Sequence, residues 1–323
     1  MKPRILVSRA VFPEVIDRLA SVAEIDAHTE DAPLAPDELA RRLQGKQGAL
    51  TMISDRVDAA VLGDSPTLKA VCNVAVGYNN LDLDALTARG IAATNTPGVL
   101  DDTTADLAWA LILASTRRVV SADKWVRAGQ WDGWRFLDWL GDDVHHATLG
   151  IVGMGRIGSA VARRAAGFEM KVIYHNRRPL PASEASGAQW VTFPDLLATA
   201  DVIVLMVPYS PATHHLIGEK ELAQMKPSAH LINVARGGVV DDDALIAALS
   251  ARHIAGAGLD VFENEPALDR RFCDLDNVVV TPHIGSASRG TRLAMAMRAA
   301  DNLLQVLKGE KPRDLLNPAA LAR

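Results

Sequence analysis

Cysteine is scarce in the 323 residues, with Cys72 and Cys273 far apart and outside any C-x-x-C pair. This excludes a disulfide framework and a cysteine-rich zinc module, and two reduced thiols in a cytosolic protein are expected. Aromatic residues are only 5% of the chain, and no apolar stretch has the length to span a bilayer; the longest helical one, Leu107 to Ala114, stops at Arg117-Arg118. The N-terminal apolar run, Ile5 to Val7, is far shorter than a signal-peptide core and reads as a first β-strand. An excess of basic charge is also missing. With 34 Lys+Arg against 39 Asp+Glu the formal net charge is −5, so neither a nucleic-acid partner nor a membrane surface is expected. Any anion this chain binds must be met by local charge.

What is present is alternation. Short apolar runs at 5–7, 49–53, 70–75 and 91–94 are separated by helix-like segments such as Phe12 to Ala20 and Pro36 to Leu43. After Asp101 comes a long amphipathic stretch, then a Trp-rich segment, then a second series of runs at 149–152, 171–174, 201–206, 230–234, 256–259 and 277–281. The pattern predicts βαβ units and parallel sheets, and the length suits two domains. The expected fold class is α/β, with two doubly wound parallel-sheet domains.

The strongest local signal is Gly153-Met-Gly155-Arg156-Ile157-Gly158, directly after a strand and before a helical run. That is the context a dinucleotide fingerprint demands: Gly153 for the tight turn, Gly155 for close approach to a pyrophosphate, and Gly158 for helix-to-sheet packing. NAD sites of this type place a carboxylate about 20 residues further on, against the ribose hydroxyls. Here the second strand ends Tyr174-His-Asn176-Arg177-Arg178, without one. A guanidinium pair suits a 2′-phosphate, which points to NADPH over NADH; the plainer alternative is two solvated arginines.

Three later strands end in chemistry-bearing residues: Arg236 in Asn-Val-Ala-Arg-Gly-Gly, then Asp260, Glu263 and Glu265 in Leu-Asp-Val-Phe-Glu-Asn-Glu-Pro, then His283 in Thr-Pro-His-Ile-Gly-Ser. Open parallel sheets bind ligands at such ends. Arg suits a planar carboxylate, and a His backed by a Glu suits proton donation near neutral pH, a combination fitted to reducing a 2-oxo acid. Taken singly, each of the three has a structural alternative.

The succession of the glycine fingerprint, NVARGGVVDDDAL, GLDVFENEP and TPHIGSA resembles the D-2-hydroxyacid dehydrogenase family over essentially the whole chain, and within it the glyoxylate/hydroxypyruvate reductase branch that includes 2-ketogluconate reductases. The stretches 76–82, 95–106, 144–150 and 175–178 add to the likeness. The resemblance implies a Rossmann cofactor domain (101–286) inserted into a discontinuous flavodoxin-like substrate domain (1–100 and 287–323), with a cleft that closes on substrate. It implies hydride transfer from the nicotinamide to the substrate's C2, His283 donating the proton, Glu265 holding His283, and Arg236 binding the carboxylate and ketone. Asp260 resembles the residue that hydrogen-bonds the carboxamide, and Thr104 a cofactor-contacting hydroxyl. Val207, Pro208, Ala235, Gly285 and Ser286 complete the expected cofactor contacts. Val76 and Gly77 resemble the backbone loop that cradles the substrate carboxylate; the phosphite-oxidising branch has a Lys there, and this chain has Ala75 or Val76.

The resemblance also implies a homodimer, with the segment bearing Trp125, Trp131, Trp134 and Trp139 against the partner. Met52 is a candidate pocket residue, although a core role is the simpler reading. The doublets His145-His146 and His214-His215 attract attention as metal ligands, but adjacent side chains in extended structure diverge, so no metal is expected. The competing class is a dinucleotide-sensing, corepressor-like protein. The competing enzymes are phosphoglycerate dehydrogenase in its short forms and the phosphite-oxidising relatives.

Overall fold

The computed structural model describes residues 2–322. It divides into two compact units, one formed by the residues up to Leu100 together with those from Ala287 onward, the other by Asp101–Ser286.

The first unit carries strands β1 (Arg4–Val7), β2 (Glu24–Ala27), β3 (Gly48–Thr51), β4 (Ala70–Asn73) and β5 (Ala92–Thr94), all parallel, in the order β2-β1-β3-β4-β5. The residues of β3 and β4 are buried without exception, which is why they read as continuous apolar runs. Strand β2 was not expected from the sequence. It is a half-exposed edge strand, Glu-Ile-Asp-Ala, whose charges are what an edge tolerates and what hides it from an apolar scan. Helices Pro13–Ala20 and Pro36–Leu43 each start on the proline that suits a first turn, and each buries two side chains, Val15 with Leu19 and Leu39 with Leu43. The helix Arg289–Leu307 returns from the end of the chain to this unit and packs on β3, β4 and the helix Pro13–Ala20. There its Arg298 forms a largely buried ion pair with Asp314, beyond the helix, Nε to Oδ2 at 2.6 Å and Nη2 to Oδ1 at 2.9 Å.

The second unit carries β6 (Thr148–Val152), β7 (Lys171–His175), β8 (Gln189–Trp190), β9 (Val202–Leu205), β10 (His230–Asn233), β11 (Gly256–Leu259) and β12 (Val278–Val280). Their order is β12-β11-β10-β9-β6-β7-β8, again all parallel. The direction of winding reverses between β6 and β9, the position at which a doubly wound sheet opens a crevice at its carboxyl ends. The helix Asp101–Thr116 buries a broad face from Thr104 to Thr116 against the helix Arg156–Ala165 and strands β10 and β11. The first unit has the flavodoxin-like strand order and the second the Rossmann order, as the family resemblance implies. The two-residue β8 was missed for want of length.

Among the described residues no helix is long and apolar enough to cross a membrane.

Candidate active site and cofactor cradle

The glycine loop is built by close approach. Gly153 has φ +102°, and a Cβ there would stand 2.8 Å from the backbone of Met206. A Cβ on Gly158 would stand 2.5 Å from the Gly153 carbonyl oxygen, so the helix Arg156–Ala165 can begin right behind the turn only with glycine at that position. Nothing lies within 4 Å of a Cβ built on Gly155, which caps the helix and leaves its first amides facing open space. Unpaired amides at a helix start, with the dipole behind them, are chemically a phosphate cradle, and this one fits a dinucleotide pyrophosphate. Arg156 and Ile157 form the first turn, and Arg156 faces Asp101 at 3.4 Å.

Beyond β7, Asn176 turns back to the loop. Its Oδ1 accepts from the Met154 amide at 2.7 Å, its Nδ2 donates to the Met154 carbonyl at 3.3 Å, and its own carbonyl accepts from Trp190 Nε1 at 3.0 Å. Arg177 and Arg178 follow it, both exposed, and neither meets a carboxylate among the described residues. Val207 and Pro208 continue from the end of β9, with Val207 Cγ1 3.0 Å from where a Gly153 Cβ would be.

The ends of β10, β11 and β12 bring Arg236, Asp260, Glu265 and His283 into one connected network. Asn233 ends β10; its Oδ1 accepts from the amide of buried Ala235 at 3.1 Å and its Nδ2 donates to the Arg236 carbonyl at 3.0 Å. Arg236 Nη1 donates to the Ala235 carbonyl at 2.6 Å. Burial pulls the Arg236 guanidinium below its usual range, against the charge of Glu265, which supports it. A Cβ on Gly237 would overlap the Phe262 carbonyl at 1.8 Å, so this loop and the next touch backbone to backbone.

Glu265 accepts from the Phe262 amide at 2.9 Å on Oε1 and meets His283 Nδ1 at 2.8 Å on Oε2. Burial alone would raise its carboxyl; the hydrogen bond and charge of His283, the Phe262 amide and the charge of Arg236 outweigh that and hold it below the usual carboxylate range. His283 sits at φ +54°, its amide donating to the Asp260 carbonyl at 2.9 Å, and its side chain is one-third exposed. With Nδ1 committed to Glu265, Nε2 is the nitrogen available to exchange a proton with a ligand. Such a pair can donate a proton while Arg236 holds an anionic group nearby.

Asp260 is almost completely buried. Its Oδ1 accepts from Thr281 Oγ1 at 2.7 Å and the Ile284 amide at 2.8 Å, and its Oδ2 from the Gly285 amide at 2.8 Å. Burial pushes its carboxyl above the usual value against those donors and the charge of His283. Both oxygens therefore shape the 281–285 loop. Thr104 is buried beside that loop, its Cγ2 3.4 Å from a Cβ built on Gly285, and Ser286 follows, half-buried.

In the first unit, the loop after β4 is held from beneath by asparagines. Asn73 Nδ2 donates to the Gly77 carbonyl at 3.1 Å, Asn95 Nδ2 to the Val76 carbonyl at 2.8 Å, and Asn80 Nδ2 to the carbonyls of Met52 at 3.1 Å and Asp55 at 2.9 Å. With those carbonyls engaged, the amides of Val76 and Gly77 find no acceptor among the described residues. Consecutive amides of this kind suit an anion. Asn73, Asn80 and Asn95 were not singled out from the sequence. The available signal was an asparagine at the end of each of two strands, where an apolar run gives way to a side chain that can hold backbone.

In the Trp-rich segment Trp131, Trp134, Phe136, Leu137 and Leu140 are all exposed, Trp134 to 79%. One other expectation meets the structure differently. The rings of His214 and His215 do not diverge. They stack with centroids 3.9 Å apart, because His215 adopts φ +48°, which removes the alternation that an extended chain would impose.

A Rossmann sheet with a phosphate-binding glycine loop, and a His-Glu pair with a half-buried Arg at the ends of its strands, define a nicotinamide-dependent oxidoreductase. Residues 109–285 match the NAD binding domain of D-isomer specific 2-hydroxyacid dehydrogenases. The glyoxylate reductase of Thermococcus litoralis is 47% identical over 328 aligned residues, covering 99% of this chain and 98% of that one. A crystal structure of a Thermus thermophilus protein superposes with TM-score 0.92 at 43% identity, covering 97% of this chain and 99% of that one. The NADPH-dependent glyoxylate/hydroxypyruvate reductase of Sinorhizobium meliloti, in complex with NADP and malonate, gives TM-score 0.88 at 33% identity over 99% of this chain and 98% of that one. The chain belongs to the D-isomer specific 2-hydroxyacid dehydrogenase family and is an NAD(P)-dependent oxidoreductase.

Proposed function

We propose that this enzyme reduces small 2-oxo acids, glyoxylate and hydroxypyruvate first and 2-ketogluconate as a further substrate, to D-2-hydroxy acids with NADPH preferred over NADH. The observation that carries the reading is the Arg236, Glu265 and His283 network at three adjacent strand ends. The names of the glyoxylate reductase relatives support the substrate class.

The dinucleotide supplies a hydride to C2 of the oxo acid when it is bound, its pyrophosphate held by Gly153, Gly155, Arg156, Ile157 and Gly158. Thr104, Asn176, Val207, Pro208, Ala235, Asp260, Gly285 and Ser286 line its site, and Arg177 with Arg178 takes a 2′-phosphate. Arg236 binds the substrate carboxylate and stabilises the charge that grows on the carbonyl oxygen. His283 gives its Nε2 proton to that oxygen, and Glu265 keeps the ring oriented. In the other unit, the amides of Val76 and Gly77 offer donors for a carboxylate. The exposed aromatic segment around Trp134 supports a homodimer, and the near-absence of cysteine supports a cytoplasmic setting.

The test is a cofactor-oxidation assay of the purified protein with NADPH and with NADH, across glyoxylate, hydroxypyruvate, 2-ketogluconate, pyruvate and a bulky aromatic 2-oxo acid. Turnover of the first two with NADPH faster than NADH is expected. Equal use of both cofactors would remove the arginine argument, and no turnover of any acid would favour a dinucleotide sensor.

A further inference from the structure

Outside the network of Arg236, Glu265 and His283, one group of metal-ligating side chains converges among the described residues. One ring nitrogen of His214, one of His215 and a carboxylate oxygen of Glu263 all lie within 4.8 Å of one another. His215 Nε2 meets Glu263 Oε1 at 2.6 Å, and the two imidazoles stack at 3.9 Å. His215 is also held on its other side, its Nδ1 facing Asp241 Oδ2 at 3.6 Å, and the Tyr209 hydroxyl lies 3.3 Å from His214 Nδ1. An outer carboxylate on one ring nitrogen, with the opposite nitrogen turned inward as in His215, is the arrangement that orients a histidine towards a metal. The backbone supports it: the His215 amide donates to the Gly238 carbonyl at 2.8 Å, and the Glu263 amide to Asp242 Oδ2 at 3.1 Å.

We propose that His214, His215 and Glu263 form a binding site for a borderline divalent cation of the Zn2+ type, with ligands other than Arg236, Glu265 and His283. Two imidazoles and one carboxylate select such a cation over Ca2+ or Mg2+, which take oxygen ligands. Tetrahedral zinc with nitrogen and oxygen ligands at about 2.0–2.2 Å sets its donors roughly 3.4 Å apart, between the 2.6 Å of the His215–Glu263 pair and the 4.8 Å within which all three donors lie. His214 is exposed and gives the entry path, and the fourth position is left to water.

The other doublet provides the contrast. His145 and His146 meet edge to face at 5.0 Å and face separate carboxylates, Asp143 at 3.6 Å and Glu169 at 3.4 Å, without a common centre.

The experiment is a calorimetric titration of the full-length, chelator-treated protein with Zn2+ alone, repeated with Co2+ to read the visible bands of tetrahedral coordination. One saturable cation per chain is expected, and the tryptophan-detected melting midpoint should rise with it. His214→Ala, at an exposed position that spares the fold, and Glu263→Gln should each weaken binding by more than about tenfold. The double variant His145→Ala with His146→Ala should leave it unchanged. Absence of saturable binding, or binding indifferent to His214→Ala, overturns the proposal.

Discussion

Two regions of this molecule present hydrogen-bond donors at the carboxyl ends of parallel strands, and they do so by opposite means. After β10, β11 and β12 the donors are side chains, Arg236 and His283, and a third side chain, Glu265, answers them with charge. After β4 the donors are the amides of Val76 and Gly77, and the side chains of Asn73 and Asn95 occupy the carbonyls of Gly77 and Val76. The first region can change its protonation state and the second cannot. A proton-transfer step therefore belongs to the first, and the second is suited to fixed recognition of an anion.

The largest expected effect tests that division directly. His283→Ala should lower the reductive kcat by about 10³-fold, the scale of a lost general acid, while the cofactor still binds. Since reduction takes a proton from His283 and oxidation returns one, the reductive rate of the unaltered enzyme should fall towards alkaline pH and the oxidative rate should rise. Glu265 is held below its ordinary value of 4.5, so it stays charged, and His283 keeps its partner, through mildly acidic pH. Parallel pH profiles in the two directions would break the comparison.

Next in size is a stability effect confined to the first unit. Burial opposes the charge of Asp314, but its hydrogen bonds from Arg298 and Asn302 and the charges of Arg298 and Arg313 win, so its folded carboxyl lies below 3.8. The unfolded chain thus takes up the proton first as pH falls. The pair's contribution is complete above that value and is lost as pH drops through the folded one. Asp314→Asn, leaving a largely buried guanidinium without its charge partner, should cost about 3 kcal/mol near neutral pH. All six tryptophans lie between Trp109 and Trp190, in the second unit, so fluorescence reports that unit alone. Circular dichroism should show the loss and fluorescence should not; equal shifts in both would show that the units melt together.

The contrast between the regions also decides what was legible in the sequence. Arg236, Glu265 and His283 stood out because each is a chemically distinctive residue following an apolar run, and the parallel α/β architecture needed only the alternation of runs and helices. The 74–80 loop became visible only through resemblance, since backbone amides carry no residue code. Strand β2 escaped because an edge strand is written in polar residues, and the convergence of His214 with His215 escaped because it depends on a left-handed φ at a non-glycine residue. Asp260 was read as a cofactor ligand, yet most of its hydrogen-bonding capacity lies in the loop that carries His283, a role that only coordinates reveal.

A smaller effect would sharpen the backbone side of the comparison. Asn73→Ala removes the donor that engages the Gly77 carbonyl and the Asn80 side chain, so the loop amides lose their fixed direction. The cost of leaving such groups unsatisfied is about 1–3 kcal/mol. We expect KM for the 2-oxo acid to rise by roughly tenfold on that scale, with KM for the dinucleotide unchanged. A matching rise in both constants would mean that Asn73 supports the fold at large and not this loop.

The smallest expected effect concerns the cofactor's ribose. Arg177 and Arg178 are exposed, and solvent screens exposed charges, so a guanidinium there is worth less than the about 1.5–3 kcal/mol of a charged hydrogen bond in a buried setting. Arg177→Ala should raise KM for NADPH by roughly fivefold on this discounted scale and leave KM for NADH where it was. The effect should shrink as salt is added, because a Debye length of about 8 Å at physiological ionic strength reaches little beyond the contact itself. The asymmetry between the two cofactors carries the test: a fixed backbone cradle at Gly153 to Gly158 serves both equally, so only a side-chain charge can separate them. If Arg177→Ala moved both constants together, the arginines would be acting on the loop and not on a phosphate.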